Sequence, residues 1–275
     1  MLEHSALSRT EESVVRSVPT GLFIDGRWQD TDRSFPVVDP STGRDLRSVA
    51  DAGPDDGMRA LDAAVAAQPA WAATTPRERA TVLSNAHRLM LEQIDRLALI
   101  TTLEMGKPLA EARGEIAYAA EFFRWFSEEA VRIDGGYMPA PGGGSRFLVS
   151  RQPVGPSLLV TPWNFPMAMG TRKIGPALAA GCTSVVKPAK QTPLSLLALA
   201  DLLSEAGVPP GVVNVITTSK ADEVMAPLIL DHRSRKLSFT GSTAVGAAAD
   251  RQCRHAFGEA GAEFVCDAPL DEEPV

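Results

Sequence analysis

The sequence contains few cysteines, few aromatic residues and no excess of positive charge, and each shortage excludes a class of protein. Among its 275 residues are three cysteines, and Cys182, Cys253 and Cys266 lie too far apart to form a C-x-x-C pair. A disulfide framework or a zinc ribbon is therefore excluded, and a reducing compartment is favoured. Aromatic residues make up 6% of the chain and the formal net charge is -7, which argues against nucleic-acid partners and anionic membrane surfaces.

Long apolar runs and clustered histidines are also missing. The first residues, MLEHSALSRTEESVVRSVPTG, carry acidic side chains and lack the apolar segment of a signal peptide. No run reaches the length of a membrane span, and the four histidines are scattered, so the sequence predicts neither a membrane partner nor a metal site. We therefore expect a cytoplasmic protein in which residues 1–20 form a flexible polar arm.

What the sequence does contain is a helical part followed by a part in which strands and helices alternate. Residues 21–134 open with a hairpin signal in GLFIDGRWQD and continue with a long helical pattern, in which Thr75 and Glu78 form a capping box. Residues 135–152 are rich in glycine and proline around one strand-like piece, RFLVSRQ, and are interpreted as an excursion from the main body.

From residue 153 to residue 246, the short apolar strands SLLV, TSVVK, VVNVI and KLSF are separated by helices, one of which is predicted to be capped by Thr192. Such strands indicate an α/β fold with a parallel sheet covered on both faces. The pattern is lost in the tail, residues 247–275, where HAFGEAGAEF is a poor strand. That tail predicts an unpaired sheet edge, marginal stability and self-association.

Ligands bind beyond the carboxyl ends of parallel strands, and three of those ends carry distinctive turns. In TPWNFP, two prolines flank Asn164 and hold its amide as an oxyanion donor requires; the alternative is a stiff turn whose asparagine bonds its own backbone. In KPAKQTP, Lys187 and Lys190 suit ribose hydroxyls or a phosphate, or else form an ordinary surface pair. GSTAVG is either a phosphate loop or a plain tight turn.

Together with LEMGKPLAEARGEIAYAAEFFRWFSEEAVRIDG and PWNFPMAMGTRKIGPALAAGCTSVVKPA, these turns resemble the cofactor-binding part of the aldehyde dehydrogenase superfamily. The succinate-semialdehyde dehydrogenase branch is the most similar, and the resemblance runs from about Leu22 to Gly246. It implies a Rossmann-like parallel sheet with N-terminal helices, an NAD(P)-binding part over 153–246 and an oligomerisation hairpin over 135–152. The strand that partners this hairpin in the homo-oligomers of the family is absent from the sequence, so we expect a partial hairpin.

The resemblance also implies a role for each residue at the strand ends. Asn164 corresponds to the asparagine that stabilises the thiohemiacetal oxyanion, and Lys187 corresponds to the lysine that contacts the adenosine ribose. Arg172 corresponds to an arginine that holds the remote carboxylate of the semialdehyde, unless it is an ordinary helix-surface arginine. The other residues implied to bind the cofactor are Thr161, Trp163, Gly241, Ser242 and Gly246.

Lys190 departs from the family pattern in a way that bears on the cofactor. Many NAD-using relatives have a glutamate at this position, which repels a 2′-phosphate, whereas a lysine attracts one. The sequence therefore favours NADP over NAD as the cofactor.

Two motifs of the family's chemistry are missing. The resemblance implies a nucleophilic cysteine in a Gly-Gln-x-Cys segment and a water-activating glutamate in a Glu-Leu-Gly-Gly strand, and the sequence contains neither. Glu259 lies in a faint remnant of the glutamate motif. Cys253 and His255 are too close in sequence to converge as a pair, and Cys182 fits a buried core position.

Three interpretations remain open on these grounds. The chain is a truncated relative of the semialdehyde dehydrogenases that can at most bind cofactor, or it is half of a split enzyme completed by another chain, or it is a non-enzymatic interaction subunit. In the first and third cases we expect no dehydrogenase activity, and in the second we expect activity after mixing with the partner.

Overall fold

A mostly parallel sheet forms the centre of the fold. The computed structural model describes residues 7–242, 246–247 and 265–266. Residues 265 and 266 are described by their backbone alone. Over these residues the helices are α1 (Arg9–Arg16), α2 (Pro54–Ala72), α3 (Pro76–Glu92), α4 (Ile94–Met105), α5 (Leu109–Glu129), α6 (Pro166–Ala179), α7 (Leu194–Glu205) and α8 (Ala221–Leu230). The strands are β1 (Leu22–Ile24), β2 (Arg27–Gln29), β3 (Ser34–Val38), β4 (Asp45–Ala50), β5 (Gly136–Pro139), β6 (Arg146–Val149), β7 (Ser157–Val160), β8 (Ser184–Lys187), β9 (Val213–Val215), β10 (Lys236–Phe239) and β11 (Val265–Cys266).

The main sheet has the strand order β11-β10-β7-β8-β9-β1-β2. Neighbouring strands from β11 to β9 run parallel, whereas β1 and β2 are antiparallel additions at the far edge. After β7 the chain moves outward through β8 to β9, and it then returns to the other side of β7 as β10. The strand order therefore reverses between β7 and β10, which is where an open α/β sheet forms its ligand crevice.

Both faces of the parallel strands are covered, as the unbroken apolar strands predicted. Leu158 and Leu159 of β7 belong to different hydrophobic clusters, and so do Val185 and Val186 of β8. One cluster contains residues of α3 to α7, and the other contains residues of α2 and α8. Because successive side chains of a strand point to opposite faces, a strand is apolar throughout when helices cover both. The predicted α/β class is confirmed.

Two local predictions are also confirmed. β1 and β2 form an antiparallel hairpin whose turn residues, Asp25 and Gly26, have φ values of 53° and 70°. Positive φ at both central positions matches the right-handed twist of the two strands. α3 begins with the expected capping box, in which the Thr75 hydroxyl accepts from Glu78 N at 3.2 Å and the Glu78 carboxylate accepts from Thr75 N at 2.7 Å.

Residues 1–20 are expected from the sequence to form a flexible arm. Residues 1–6 lie outside the described residues, and the rest of the segment contains the packed helix α1. Arg47 of β4 donates from one guanidinium nitrogen to the carbonyl oxygens of Val15, Arg16 and Val18, at 3.0, 2.6 and 2.7 Å. Val15 and Val18 are buried. The expectation of a flexible arm is therefore wrong for α1, because the arginine that fastens it lies on a strand far along the chain.

The prediction that Thr192 caps α7 is wrong. α7 begins at Leu194, and the buried Thr192 hydroxyl has no hydrogen-bond partner among the described residues. The carboxylate of Glu104, on α4, accepts instead from Leu194 N at 2.7 Å and from Ser195 N at 2.8 Å. Burial raises the pKa of Glu104 to about 8, although these hydrogen bonds act in the opposite direction. The cap is invisible in the local sequence because Glu104 lies 90 residues before Leu194.

The strand-like piece RFLVSRQ supplies β6, which pairs with β5 as an antiparallel hairpin. The hairpin exposes large apolar side chains, among them Tyr137, Phe147 and Leu148, and Leu148 is 81% exposed. A two-stranded ribbon has no core of its own, so these side chains depend on another surface for burial.

The outer edge of the sheet differs from the expected unpaired one. β11 pairs in parallel with β10, with Ser238 opposite Val265 and Phe239 opposite Cys266. The edge of β10 is therefore paired at these two positions. HAFGEAGAEF was considered as the strand from the sequence, whereas the pairing residues come directly after that segment. The segment itself is outside the described residues, and so are three residues considered above: Cys253, His255 and Glu259.

Neither a membrane-spanning helix nor a metal-binding cluster of side chains occurs in the described part of the chain. No helix there combines the length and the hydropathy needed to cross a bilayer. No group of three or more histidine, cysteine, aspartate or glutamate side chains there could hold a metal ion. Cys182 is buried, as the sequence led us to expect.

Candidate functional site

The carboxyl ends of the parallel strands open into a large cleft where the strand order reverses. The cleft has a volume of about 1050 Å³, at the upper end of the range for small-molecule sites. The strand register places Val160, Lys187 and Phe239 level with one another at the ends of β7, β8 and β10. The residues singled out in the sequence that line this cleft are Thr161, Trp163, Asn164, Arg172, Lys187, Lys190, Gly241 and Ser242.

Thr161 begins the first turn and is fastened to the neighbouring strand. Its backbone N–H donates to the carbonyl of Lys187 at 3.2 Å. The residue is buried, and its Oγ1 has no hydrogen-bond partner among the described residues. Leaving such a hydroxyl unpaired costs about 1–3 kcal/mol, so a polar ligand atom that reaches it from the cleft is stabilised.

Asn164 follows Trp163 on an exposed stretch of the same turn. The turn ends at Pro166, where α6 begins. In the described part of the chain, the side-chain amide of Asn164 makes no hydrogen bond to its own backbone, which was the alternative left open by the sequence. The amide is therefore available to a ligand in the cleft.

The two lysines of the second turn occupy different environments. Lys187 is buried at the end of β8, and burial lowers the pKa of its ammonium group, while the negative charge of Asp222 acts in the opposite direction. Lys190 is exposed at the rim of the cleft. A buried ammonium facing a cleft gains most from fixed polar partners, whereas an exposed one can attract a phosphate through its charge.

The third turn requires glycine for a steric reason. A Cβ atom on Gly241 would lie 2.5 Å from Cζ of Phe239, a side chain that is itself buried. Ser242 is exposed and lines the cleft, and its carbonyl accepts from the N–H of Gly246 at 3.0 Å. Gly246 is buried and does not line the cleft, and residues 243–245 between them are outside the described residues.

Arg172 lies on α6 and is exposed, so its position alone agrees with an ordinary surface arginine. It nevertheless lines the same cleft as Asn164. A guanidinium is charged at every physiological pH and can bind a carboxylate through two parallel hydrogen bonds. The arrangement can thus hold an anionic end of a ligand near the amide of Asn164.

A buried ion pair behind the first turn was missed by the sequence analysis. Nζ of Lys107 lies 2.5 Å from Oε2 of Glu115, and the two side chains are 7% and 0% exposed. The same ammonium donates to the carbonyl of Asn164 at 3.1 Å. Glu115 Oε1 accepts from Met167 N and Ala168 N, at the start of α6, at 2.9 and 3.2 Å.

The sequence does contain a signal for this pair. The buried face of α5 reads Ala112, Glu115, Ile116 and Ala119, so a carboxylate occupies a core position of an otherwise apolar stripe. A buried charge requires a partner of opposite sign, and Lys107 stands at the break before the helix. The helical period could have located Glu115, but nothing in the sequence identifies the backbone groups it contacts.

Asp51 is a second residue that the sequence analysis missed. Its carboxylate accepts from the N–H and the hydroxyl of Ser219, at 2.8 and 2.7 Å, in the loop between β9 and α8 that lines the cleft. Burial raises the pKa of Asp51, but hydrogen bonds from Ser219 and the charge of Arg33 outweigh it and hold the pKa below its usual range. Asp51 therefore fastens one wall of the cleft to the segment after β4.

Comparisons with known proteins point to one family. The model of the aldehyde dehydrogenase family matches residues 28–269. The chain is 56% identical over 201 residues to the succinate-semialdehyde dehydrogenase of Paenarthrobacter nicotinovorans, an alignment that covers 73% of this chain and 45% of that protein. It is 50% identical over 250 residues to the NADP(+) succinate-semialdehyde dehydrogenase GabD of Escherichia coli K12, covering 90% of this chain and 52% of that protein.

A solved structure described as an E. coli NADP dependent enzyme superposes with a TM-score of 0.86 at 47% sequence identity. The superposition covers 96% of this chain and 54% of the other. The chain thus spans about half the length of the curated relatives it matches.

Proposed function

Because this chain belongs to the aldehyde dehydrogenase family and resembles its succinate-semialdehyde dehydrogenases, we propose that its cleft binds NADP together with one end of a semialdehyde. The observation that carries the proposal is the convergence of three turns, separated in sequence, on one cleft where the strand order reverses. The family inferred from the motifs is confirmed, and the ligands and the role of each residue are the proposal.

The polar groups of the cleft fit a nicotinamide dinucleotide. The buried Thr161 hydroxyl without a partner suits a polar group of the cofactor, and the buried ammonium of Lys187 suits its ribose hydroxyls. Ser242 lies in the glycine turn beside these groups, where backbone can approach a pyrophosphate. Trp163 adds an exposed aromatic face to the same wall.

Lys190 is the residue that we propose to select NADP over NAD. Its exposed ammonium at the rim of the cleft can reach a 2′-phosphate without a large desolvation cost. Lys220 lines the same cleft and is paired with Glu223 at 3.0 Å, so its charge is partly neutralised.

Asn164 and Arg172 are the residues that we propose to act on the semialdehyde. The bound nicotinamide supplies the hydride acceptor for aldehyde oxidation. The Asn164 amide donates to the aldehyde oxygen, on which negative charge develops only when a nucleophile attacks, and Arg172 holds the carboxylate at the other end of the substrate. Each residue stabilises a charge that water would otherwise solvate.

We further propose that these 275 residues bind cofactor without oxidising aldehyde. The sequence contains no Gly-Gln-x-Cys segment and no Glu-Leu-Gly-Gly segment. Cys182 is buried and is not among the residues that line the cleft, so it does not replace the nucleophile. The proposal is contradicted if the purified chain alone reduces NADP in the presence of succinate semialdehyde.

Calorimetric titration of the full chain with NADP and with NAD tests the cofactor assignment. One charge-assisted hydrogen bond contributes about 1.5–3 kcal/mol, so we expect NADP to bind roughly 10- to 150-fold more tightly than NAD. The Lys190→Glu variant is expected to lose this preference and to bind NAD at least as well as NADP.

The matched control is Lys236→Glu, which makes the same change of charge at the opposite, amino-terminal end of β10. We expect it to leave both affinities unchanged. Equal or tighter binding of NAD by the wild-type chain would overturn the preference for NADP. If neither NADP nor NAD binds, the proposed function itself is overturned.

A further inference from the structure

The turn that carries Asn164 rests on the buried ion pair of Lys107 and Glu115. Burying two charges is expensive, and apolar side chains of similar volume are often equally stable or more stable in the same place. Stability alone therefore does not account for an ion pair whose members are 7% and 0% exposed. Its contacts point to another role.

The pair contacts the chain at Asn164 and at the residues that follow it. Lys107 Nζ donates to the Asn164 carbonyl at 3.1 Å and lies 3.9 Å from the centroid of the Phe165 ring. Glu115 Oε1 accepts from Met167 N at 2.9 Å, within the first turn of α6. One ammonium and one carboxylate, linked to each other, thus fix the backbone from the carbonyl of Asn164 to the first turn of α6.

We propose that the Lys107–Glu115 pair positions the amide of Asn164 in the cleft. The inference rests on the proposed function, in which that amide is the oxyanion donor. A donor of this kind is effective when its direction is set before charge develops. Asn164 itself is exposed, and its side chain makes no hydrogen bond within the described part of the chain, so its direction depends on its backbone.

Lys107 and Glu115 are positioning residues, because neither is among the residues that line the cleft. They act through the turn that carries Asn164. Phe165 lies between the ion pair and the cleft. Its ring lies over the ammonium and it also lines the cleft, so it separates the ion pair from the ligand space. Hydrogen bonds that the Lys107 ammonium donates are strong in this setting because water is excluded.

The sequence offers a direct way to observe Asn164, because it contains three asparagines: Asn85, Asn164 and Asn214. Labelling the full chain with carbon-13 and nitrogen-15 asparagine alone gives three side-chain amide signals and three backbone carbonyl signals. Asn85 and Asn214 both donate hydrogen bonds to backbone carbonyls elsewhere in the fold, so they serve as internal references. Asn164→Ala assigns the remaining signals.

The test compares Lys107→Met with Arg79→Met. Arg79 is also a buried cation that donates to a backbone carbonyl of α6, but at the opposite end of the helix, where it bonds Ala179 at 3.0 Å. Both variants should lose thermal stability. We expect the backbone carbonyl signal of Asn164 to move upfield in Lys107→Met. The order parameter of the Asn164 side-chain amide should fall below about 0.6, the range of flexible groups. Both should stay unchanged in Arg79→Met.

Two further variants keep the test decisive. Lys107→Met leaves Glu115 as an unpaired buried charge, which can prevent folding, whereas Lys107→Met combined with Glu115→Gln removes both charges. The double variant should show the same change at Asn164, and Lys107→Arg should restore the amide order. Unchanged Asn164 signals in the folded double variant would overturn the positioning role and leave a purely structural pair.

The NADP titration separates this inference from the proposed function. If the wild-type chain fails to bind either cofactor while Asn164 loses order in the variants, the proposed function is wrong and the positioning contact stands. If NADP binds while Asn164 keeps its order in the folded double variant, the positioning role alone is overturned.

Discussion

At the scale of single residues, buried glutamate side chains cap two helices from distant positions in the sequence. α6 and α7 follow the first and second turns of the cleft, and they begin after Phe165 and Pro193, whose side chains cannot cap a helix. Glu115 and Glu104 supply the missing acceptors from α5 and α4. The unpaired N–H groups at each helix start are thereby satisfied by carboxyl oxygens that lie at the positive end of the helix dipole.

Glu104 is expected to make stability depend on pH. Its pKa is raised by burial from the ordinary 4.5 to about 8, so between these values the folded chain retains a proton that the unfolded chain releases. Stability contributed by this group is therefore present at acidic pH and is lost as the pH rises towards 8, by at most about 1.4 kcal/mol per pH unit. Urea denaturation of wild type and Glu104→Gln between pH 5.5 and 8 measures this slope.

The Gln side chain does not titrate in this range, so the difference in unfolding free energy between wild type and variant should shrink with rising pH. Parallel pH profiles for the two proteins would show that Glu104 keeps the same protonation state when the chain unfolds.

At the scale of elements, α1 illustrates how a polar segment becomes ordered. The helix buries little apolar surface of its own, since Val15 is its buried residue, and its last carbonyls face the guanidinium of Arg47. Carbonyls at a helix carboxyl end are unsatisfied within the helix and carry partial negative charge. A cation from β4 therefore both satisfies them and joins the segment to the body.

Arg47→Ala is expected to release α1. The loss of charged hydrogen bonds corresponds to about 1.5–3 kcal/mol, so tryptic cleavage after Arg16 should become at least about tenfold faster. Arg113→Ala, which removes an exposed ion pair with Asp95, is the control and should leave the rate unchanged. Equal cleavage rates in wild type and Arg47→Ala would mean that packing of Val15 and Val18 suffices to hold the helix.

At the scale of the whole molecule, the chain combines a well-covered sheet with one uncovered apolar ribbon. Helices lie on both faces of the parallel strands, and β11 covers part of one sheet edge. The β5–β6 hairpin, in contrast, exposes Tyr137, Phe147 and Leu148 together. Apolar patches of this kind mark association surfaces. This agrees with the oligomerisation role that the resemblance implies, and we propose that role for the hairpin here.

We predict that the chain self-associates through this hairpin. Leu148→Glu places a charge at its most exposed apolar position and should shift the protein towards monomer in sedimentation velocity experiments at matched concentration. Trp125→Glu, at an exposed position on α5, is the control and should not change the distribution. A wild-type chain that is monomeric at high concentration and melts in one sharp transition would contradict both this prediction and the expected marginal stability.

Local patterns predicted the class of the fold because they report local energetics. Alternating strands and helices, the Asp25-Gly26 turn and the capping box at Thr75 each depend on residues close together in the chain. The strand-end turns were predictable for a similar reason, since the carboxyl ends of parallel strands meet at one edge whatever their order. The sequence thus predicts that Thr161, Asn164 and Lys187 lie at one edge of the sheet.

Contacts between distant segments were not predictable in this way. The cap of α7 by Glu104, the anchoring of α1 by Arg47 and the fastening of a cleft wall by Asp51 all join segments far apart in sequence. A buried charge reports in the sequence that it needs a partner, but the choice of partner depends on which backbone groups the fold leaves unsatisfied.

The sequence by itself determined the α/β class, the family and the residues that end the parallel strands, because each follows from short-range periodicity or from motifs. The tertiary structure alone decided that the strand order reverses between β7 and β10, so that three turns share one cleft. It also decided that Lys107 and Glu115 meet behind Asn164. The physical reason is that helix docking sets which backbone groups face the interior, and buried charges settle where those groups satisfy them.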